Sequence, residues 1–141
     1  MIQEDRQLLL KDLCARLPYG IIVNVNGNDE RVDEINPFEG TITCGFQCFD
    51  IEECKPYLRP LSSMTEEESA ELSNIISEWF DKELFDLTEE PFLEYALSKI
   101  NYSISPQLFD WLNAHHFDYR GLIEKGLAIE VTEENNPYKE K

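Results

Sequence analysis

Side chains that move protons or bind metals are concentrated in one short stretch of this chain. It runs Asn113-Ala114-His115-His116-Phe117-Asp118-Tyr119-Arg120-Gly121 and holds both histidines, with Asp110 close by. A histidine beside a carboxylate can do general acid–base work, because imidazole titrates near neutrality. His115, His116, Asp118 and Arg120 are therefore the candidates for a small hydrolase or metal-dependent enzyme. A structural explanation competes with this. Consecutive helical residues point about 100° apart, so adjacent histidines do not converge on one ion. Histidine at a helix C-terminus also binds free carbonyls and favours the negative end of the dipole, and Gly121 suits the turn beyond it.

The cysteines are the second candidate set. Cys44-x3-Cys48-x5-Cys54 places three thiols near one another in sequence, with Cys14 apart. Zinc sites use tighter pairs, commonly with two intervening residues. On a single strand over 41–49, Cys44 and Cys48 share a face at a separation of about 13 Å. One zinc bridges them only if Gly45 bends the strand sharply. Buried free thiols are the expectation, with no metal. No G-x-S-x-G elbow, Walker A loop or G-x-G-x-x-G fingerprint occurs. Asn24-Val25-Asn26-Gly27-Asn28-Asp29 carries oxygen ligands, but Ile35 stands where a calcium loop needs its twelfth-position glutamate. No cofactor follows from any motif.

Charge narrows function more than motifs do. The 141 residues carry 29 acids and 12 bases, a net charge of -17. Such a surface repels nucleic-acid phosphates and anionic lipid heads, and it draws a basic protein surface. Between Met64 and Ser98 eleven acids meet one base, Lys82, giving a local charge of 1 - 11 = -10. Helix N-termini account for Glu66, Glu67, Glu68, Glu89 and Glu90. They do not account for Glu78, Asp81, Glu83 and Asp86, which become the candidate partner-binding face, able to imitate the phosphate spacing of nucleic acid. Tyr57, Arg59, Trp79 and Tyr119 are candidate contact anchors, and each is equally suited to a core. The plain alternative is an acidic surface that keeps the protein soluble.

The elements that must position these residues read as α+β. Leu9, Leu13 and Leu17 mark an amphipathic helix over 2–17, with Leu10 beside them and Lys11, Asp12 and Arg16 between, ended by Pro18. Tyr19 to Val25 reads as a strand with Ile21, Val23 and Val25 on one face. Asn26-Gly27 is a hairpin turn, and Arg31 to Ile35 is the expected return strand. With 41–49 this makes an antiparallel three-stranded meander, Gly45 being a candidate bulge. Pro56 and Pro60 exclude regular helix from most of 51–64. Thr65-Glu66-Glu67-Glu68 is a capping box opening a helix to about Leu84, and Thr88 to Ile100 is a further helix. Ser105-Pro106 starts another, closed by His115-His116. Leu127 to Val131 is a short edge strand. The expected organisation is one domain over 1–131, with 61–104 a candidate helical insertion and 132–141 a flexible tail.

The start MIQEDRQLLLKDL lacks the basic and apolar regions of a signal peptide, and no run approaches the ~20 apolar residues of a membrane span. A cytoplasmic setting is the expectation. Three stretches, LLLKDLCARLPYG, KPYLRPLSSMTEEE and WLNAHHFDYRGLIEKGLA, together resemble a family of small uncharacterised acidic proteins of gut-anaerobe genomes and their phages. That resemblance implies a phage or mobile-element setting, with a role in host takeover or anti-defence, and transfers no residue role. The leading expectation is a non-enzymatic acidic module binding a basic protein partner, with no direct nucleic-acid or membrane contact. The alternatives are the enzyme centred on His115-His116 and a structural or assembly protein.

Overall fold

Leu9 and Leu13 fall on one face of the first helix, and that stripe fixes how the helix packs. In the computed structural model, which describes residues 1–76 and 106–138, helix α1 spans Gln3–Arg16 with both leucines fully buried. Asp12 and Arg16 are buried beside them. They were expected to sit between the leucines as polar spacers, so their burial is a correction. A 3-10 turn at Leu17–Tyr19 carries Pro18 and ends the helix.

Strand β1 spans Ile22–Val25, with Ile21, Val23 and Val25 buried as the alternation requires. Asn26 and Gly27 have φ of 53° and 90°. Positive φ at both central positions makes a two-residue type I′ turn, whose twist suits a hairpin. That turn starts the return strand at once, so β2 spans Asn28–Arg31 and Val25 faces Asn28. The expected strand Arg31 to Ile35 is therefore divided. The chain crosses between sheets at Val32 and Asp33, where Val32 donates to the Ile21 carbonyl and Asp33 to that of Thr43. Strand β3, Glu34–Asn36, belongs to the second sheet.

The expected single strand over 41–49 is a hairpin. Strand β4 spans Thr41–Cys44 and β5 spans Gln47–Asp50, with Cys44 facing Gln47. Gly45 has φ of 64° and sits in the turn, so it is no bulge. A two-residue turn reverses the alternation. Ile42 and Cys44 stay inward, Phe49 joins them, and Cys48 faces outward opposite Thr43. The order β3-β4-β5 is an antiparallel three-stranded meander of the kind expected, but it is built from residues 34–50, because β1 pairs with β2 and β6 in the other sheet.

The stretch after Ile51 holds a strand that the prolines obscured. Strand β6, Cys54–Leu58, pairs antiparallel with β1, Val23 facing Pro56. Proline cannot donate to a ladder, and pairing on the other side begins only past it. There β7, Ile129–Glu130, lies parallel to Tyr57 and Leu58. The order β2-β1-β6-β7 gives a mixed four-stranded sheet. α1, both sheets and Leu122, Leu127 and Ala128 close the main core.

A smaller core of Leu72, Leu108, Leu112 and Phe117 joins α2, Glu66–Ile76, to α3, Pro106–Ala114. Proline at the start of α3 suits the first helical position, where an amide donor is not needed. The helix expected over Thr88 to Ile100, the candidate face Glu78, Asp81, Glu83 and Asp86, and Trp79 lie outside the described residues. So does any continuation of α2 towards Leu84. Residues 132–138, placed in the expected tail, are tied to the sheet. The Tyr138 hydroxyl donates to the Tyr57 carbonyl at 2.9 Å and accepts from the Ile22 amide at 3.1 Å. It stands where the β1–β6 ladder would have made its next bond.

The expected capping box opens α2. Thr65 Oγ1 accepts from the Glu68 amide at 3.1 Å, and Glu68 Oε1 accepts from the Thr65 amide at 3.0 Å. Both Glu68 oxygens also accept from Arg59, each at 2.7 Å. Burial alone would raise the Glu68 carboxyl, but the bonds from Arg59 and Thr65 overcome it and hold it at about 2. Because the folded value lies below the ordinary 4.5, its contribution is complete above that value and is lost as pH falls towards 2. We expect Glu68→Gln to cost about 1–2 kcal/mol at neutral pH. Urea titrations of both proteins at several pH values should show the difference shrinking below pH 4.5. A difference that stays constant to pH 2 would refute the linkage.

Candidate functional site

The His115–Arg120 stretch closes α3 and leads into the core, and local rules explain its shape. His116 donates its amide to the Asn113 carbonyl and Phe117 to that of Leu112, at 3.1 and 3.0 Å. These are the two bonds of a Schellman helix end, with His116 in the left-handed position usually given to glycine. Its φ is 64°. The next residues run beside β6. Arg59 donates to the His116 carbonyl and Asp118 to the Arg59 carbonyl, both at 2.8 Å.

The four candidate residues do not converge. His115 stacks on Trp111 at 4.1 Å, and its Nδ1 lies 2.9 Å from the Trp111 carbonyl. Trp111 Nε1 donates to Glu71, whose carboxylate is 4.0 Å from His115 Nε2. His116 turns the other way and stacks on Tyr138 at 3.6 Å, the rings nearly parallel at 10°. Its Nδ1 is buried and finds no hydrogen-bond partner among the described residues. Burial, then the nearby cations Arg16 and Arg59, push its imidazole down to about 4, so it is neutral at physiological pH. Asp118 uses both oxygens on the backbone, accepting from the Leu122 and Ile123 amides at 3.0 Å each. Arg120 reaches α1.

That last contact belongs to a buried network. Asp12 Oδ2 accepts from Arg16 Nε and Oδ1 from Arg120 Nη1, both at 2.8 Å. Arg16 Nη2 donates to the Phe117 carbonyl at 2.6 Å. Both guanidiniums lie over the Tyr119 ring, Arg16 at 5.2 Å and Arg120 at 4.5 Å from its centre. Tyr119 donates its hydroxyl to buried Asn113 at 2.8 Å. Asp12 and Arg16 are fully buried, and Arg16 Nη1 has no partner among the described residues. One carboxylate thus serves two cations, leaving the cluster with a net positive charge inside an acidic protein. Sequence reasoning missed Asp12 and Arg16 because their spacing of four equally describes an exposed helix pair.

The cysteines are also dispersed. Cys44 and Cys54 are buried, Cys14 and Cys48 exposed. Burial, with lesser repulsion from nearby acids, pushes the Cys44 thiol up to about 11. Burial, then the neighbouring Cys44 and acids, push Cys54 to about 12. Among the described residues no three histidine, cysteine or acidic side chains are grouped to hold a metal. Of the candidate anchors, Tyr57 is a core residue, and half-buried Tyr119 packs against Phe109 and the Arg16 and Arg120 guanidiniums. Tyr57 is buried, donating to Asp29 at 2.6 Å, and Arg59 is held between Glu68 and the Phe117 ring, 4.2 Å away.

What the sequence did not single out is the outer face of the β3-β4-β5 sheet. Glu34, Asn36, Thr41, Thr43 and Cys48 line an open groove of about 390 Å³, bordered by Pro37 and Glu39. Phe38 precedes β4 and Phe46 follows it, and both rings are essentially fully exposed, at 98% and 108%. The signal for Phe46 was available in Gly45, which marks a turn as readily as a bulge.

Two outcomes follow from the histidine and the buried network. Asp12→Asn strands Arg16 in the core with weaker acceptors, and we expect a loss of about 3–5 kcal/mol in chemical denaturation. A change under about 1 kcal/mol would show that the pair is not buried as described. The folded His116 value lies below the ordinary 6.5, so its stabilising effect is complete above pH 6.5 and is lost as pH falls towards 4. His116→Asn keeps a residue tolerant of positive φ and removes the titration. Its stability should change less than the parent's between pH 6.5 and 4, and equal slopes would contradict the assignment. The chain matches no family model, no curated protein and no solved structure.

Proposed function

We propose that this chain is a non-enzymatic, acidic binding module that engages a basic protein partner in the cytoplasm, in a phage or mobile-element setting. What supports the reading is the use made of the arginines. Four of the five are committed to ion pairs within the chain: Arg6 to Asp50 and Glu52, Arg16 and Arg120 to Asp12, and Arg59 to Glu68. Because those arginines are offset by the acids they pair with, the net charge of -17 rests on the remaining acids of the chain. Such a surface disfavours phosphate backbones and steers a basic protein towards it. Glu78, Asp81, Glu83 and Asp86 are part of the proposed field. No helix among the described residues is long and apolar enough to cross a membrane.

Capture from cell extract at low ionic strength tests this, because charge steering is strongest where screening is weakest. We expect the retained proteins to be basic and to elute as salt rises. Replacing Glu78, Asp81, Glu83 and Asp86 by their amides should weaken retention. Retention of acidic or neutral proteins, retention indifferent to salt, or none at all would sink the reading.

A further inference from the structure

We infer that the end of the β1–β6 ladder is a binding site for a phenolic ring, which the chain's own Tyr138 holds closed. Recognition there is by stacking and neutral hydrogen bonds, so the site is independent of the acidic surface and of the partner proposed for it.

The seat is made by groups that belong to the body of the fold. The pairing of β1 with β6 runs from Val25 opposite Cys54 to Val23 opposite Pro56 and stops there. Ile22 and Tyr57 would be the next pair, and the Tyr138 hydroxyl stands between them. It accepts from the Ile22 amide at 3.1 Å and donates to the Tyr57 carbonyl at 2.9 Å, with the Ile22 carbonyl 3.4 Å away. The ring lies on the His116 imidazole at 3.6 Å and packs against the main core. His116 is itself fixed by the helix end, through the Asn113 carbonyl. A seat built from sheet backbone and a helix end costs little to order on binding.

The polar groups select the occupant. At that point a hydroxyl must give one hydrogen bond and take another. A phenol does both. An aryl ether only accepts and a plain arene does neither, so either would leave a ladder group unpaired. Burial pushes the Tyr138 hydroxyl up to about 12, so the species held is the neutral phenol.

The present occupant sits on a strap with few ties. Thr132, Asn135 and Asn136 bond within residues 130–138, and residues 132–135 are exposed. Among the described residues, Tyr138 is the one of 132–138 that is hydrogen-bonded to β1 or β6. A segment held at one point opens locally at far less cost than the whole fold. Release of one side chain therefore frees the seat, and a phenolic ring from another molecule competes with Tyr138 for it. The short tether gives Tyr138 a high effective concentration, so the site answers to a ligand that is abundant or that adds contacts beyond its ring.

The experiment titrates the whole chain and Tyr138→Gly with p-cresol, using 4-methylanisole and toluene as controls. Y138G should bind p-cresol about tenfold more tightly than either control, and at least about tenfold more tightly than the parent does. At nine times its dissociation constant, p-cresol should raise the folding equilibrium constant of Y138G about tenfold. That readout survives even a Y138G chain that is largely unfolded alone, since recovery of structure then reports binding. In the parent, NMR should show the Tyr138 ring resonances moving to those of solvated tyrosine as p-cresol is raised. Tighter binding of N-acetyltyrosinamide than of p-cresol assigns the external ring to a tyrosine of another chain, and the reverse assigns it to a free phenol. Both uphold the site. Equal binding of p-cresol and toluene, equal binding by parent and Y138G, no p-cresol stabilisation of Y138G, or a Tyr138 signal that never moves each overturns it.

Discussion

A carboxylate with no access to water must be neutralised where it sits, and Asp12 imposes that demand on the whole chain. It is fully buried and is met by Arg16 from its own helix and by Arg120 from the far end of the described chain. Buried ions carry a desolvation penalty of several kcal/mol each and are tolerated only with good geometry and further hydrogen bonds. The Phe117 carbonyl and the Tyr119 ring supply the remainder. The pairing therefore requires α1 and the 116–120 segment to meet in the fold. The sheet supplies the platform, because Arg59 on the β6 side holds the same segment through two backbone bonds.

That constraint also explains why histidines that look catalytic in sequence diverge in three dimensions. The backbone reverses at His116 to bring Phe117 and Arg120 inward, and reversal sends neighbouring side chains to opposite sides. His115 goes to the helical layer with Trp111 and Glu71, His116 to Tyr138 beside the sheet. Their proximity in sequence reflects a helix end, where two different packing environments begin one residue apart.

Local signals were the legible part. Asn26-Gly27, Thr65 with Glu68, and Pro106 each specify their backbone through chemistry contained within four residues, and each appears where expected. The α+β layout was legible for the same reason, since periodicity separates helix from strand without knowledge of partners. Illegible were the features that depend on a distant neighbour. Pro56 looks like a strand breaker until its partner strands are known to leave its missing donor uncalled for. Gly45-Phe46 joins two strands because Gln47 can face Cys44, which no nearby residue announces. Asp12 and Arg16 read as a surface pair until residue 117 supplies an acceptor. The phenylalanine pair was hidden differently. Large apolar residues default to the core in any reading of periodicity, so an exposed ring registers as packing.

The Tyr138 hydroxyl that completes the β1–β6 ladder joins positions 116 residues apart, and the Arg120 pairing with Asp12 joins positions 108 apart. A ribosome emits α1 long before either partner exists. Asp12 and Arg16 cannot gain their Arg120 and Phe117 partners, nor Ile22 its Tyr138 partner, until those late residues have been synthesised. Contacts this remote in sequence are slow to form, since loop closure must precede any gain from them. Closing the main core therefore waits on residues late in the described chain, and the high density of negative charge disfavours association of chains that have not yet closed it.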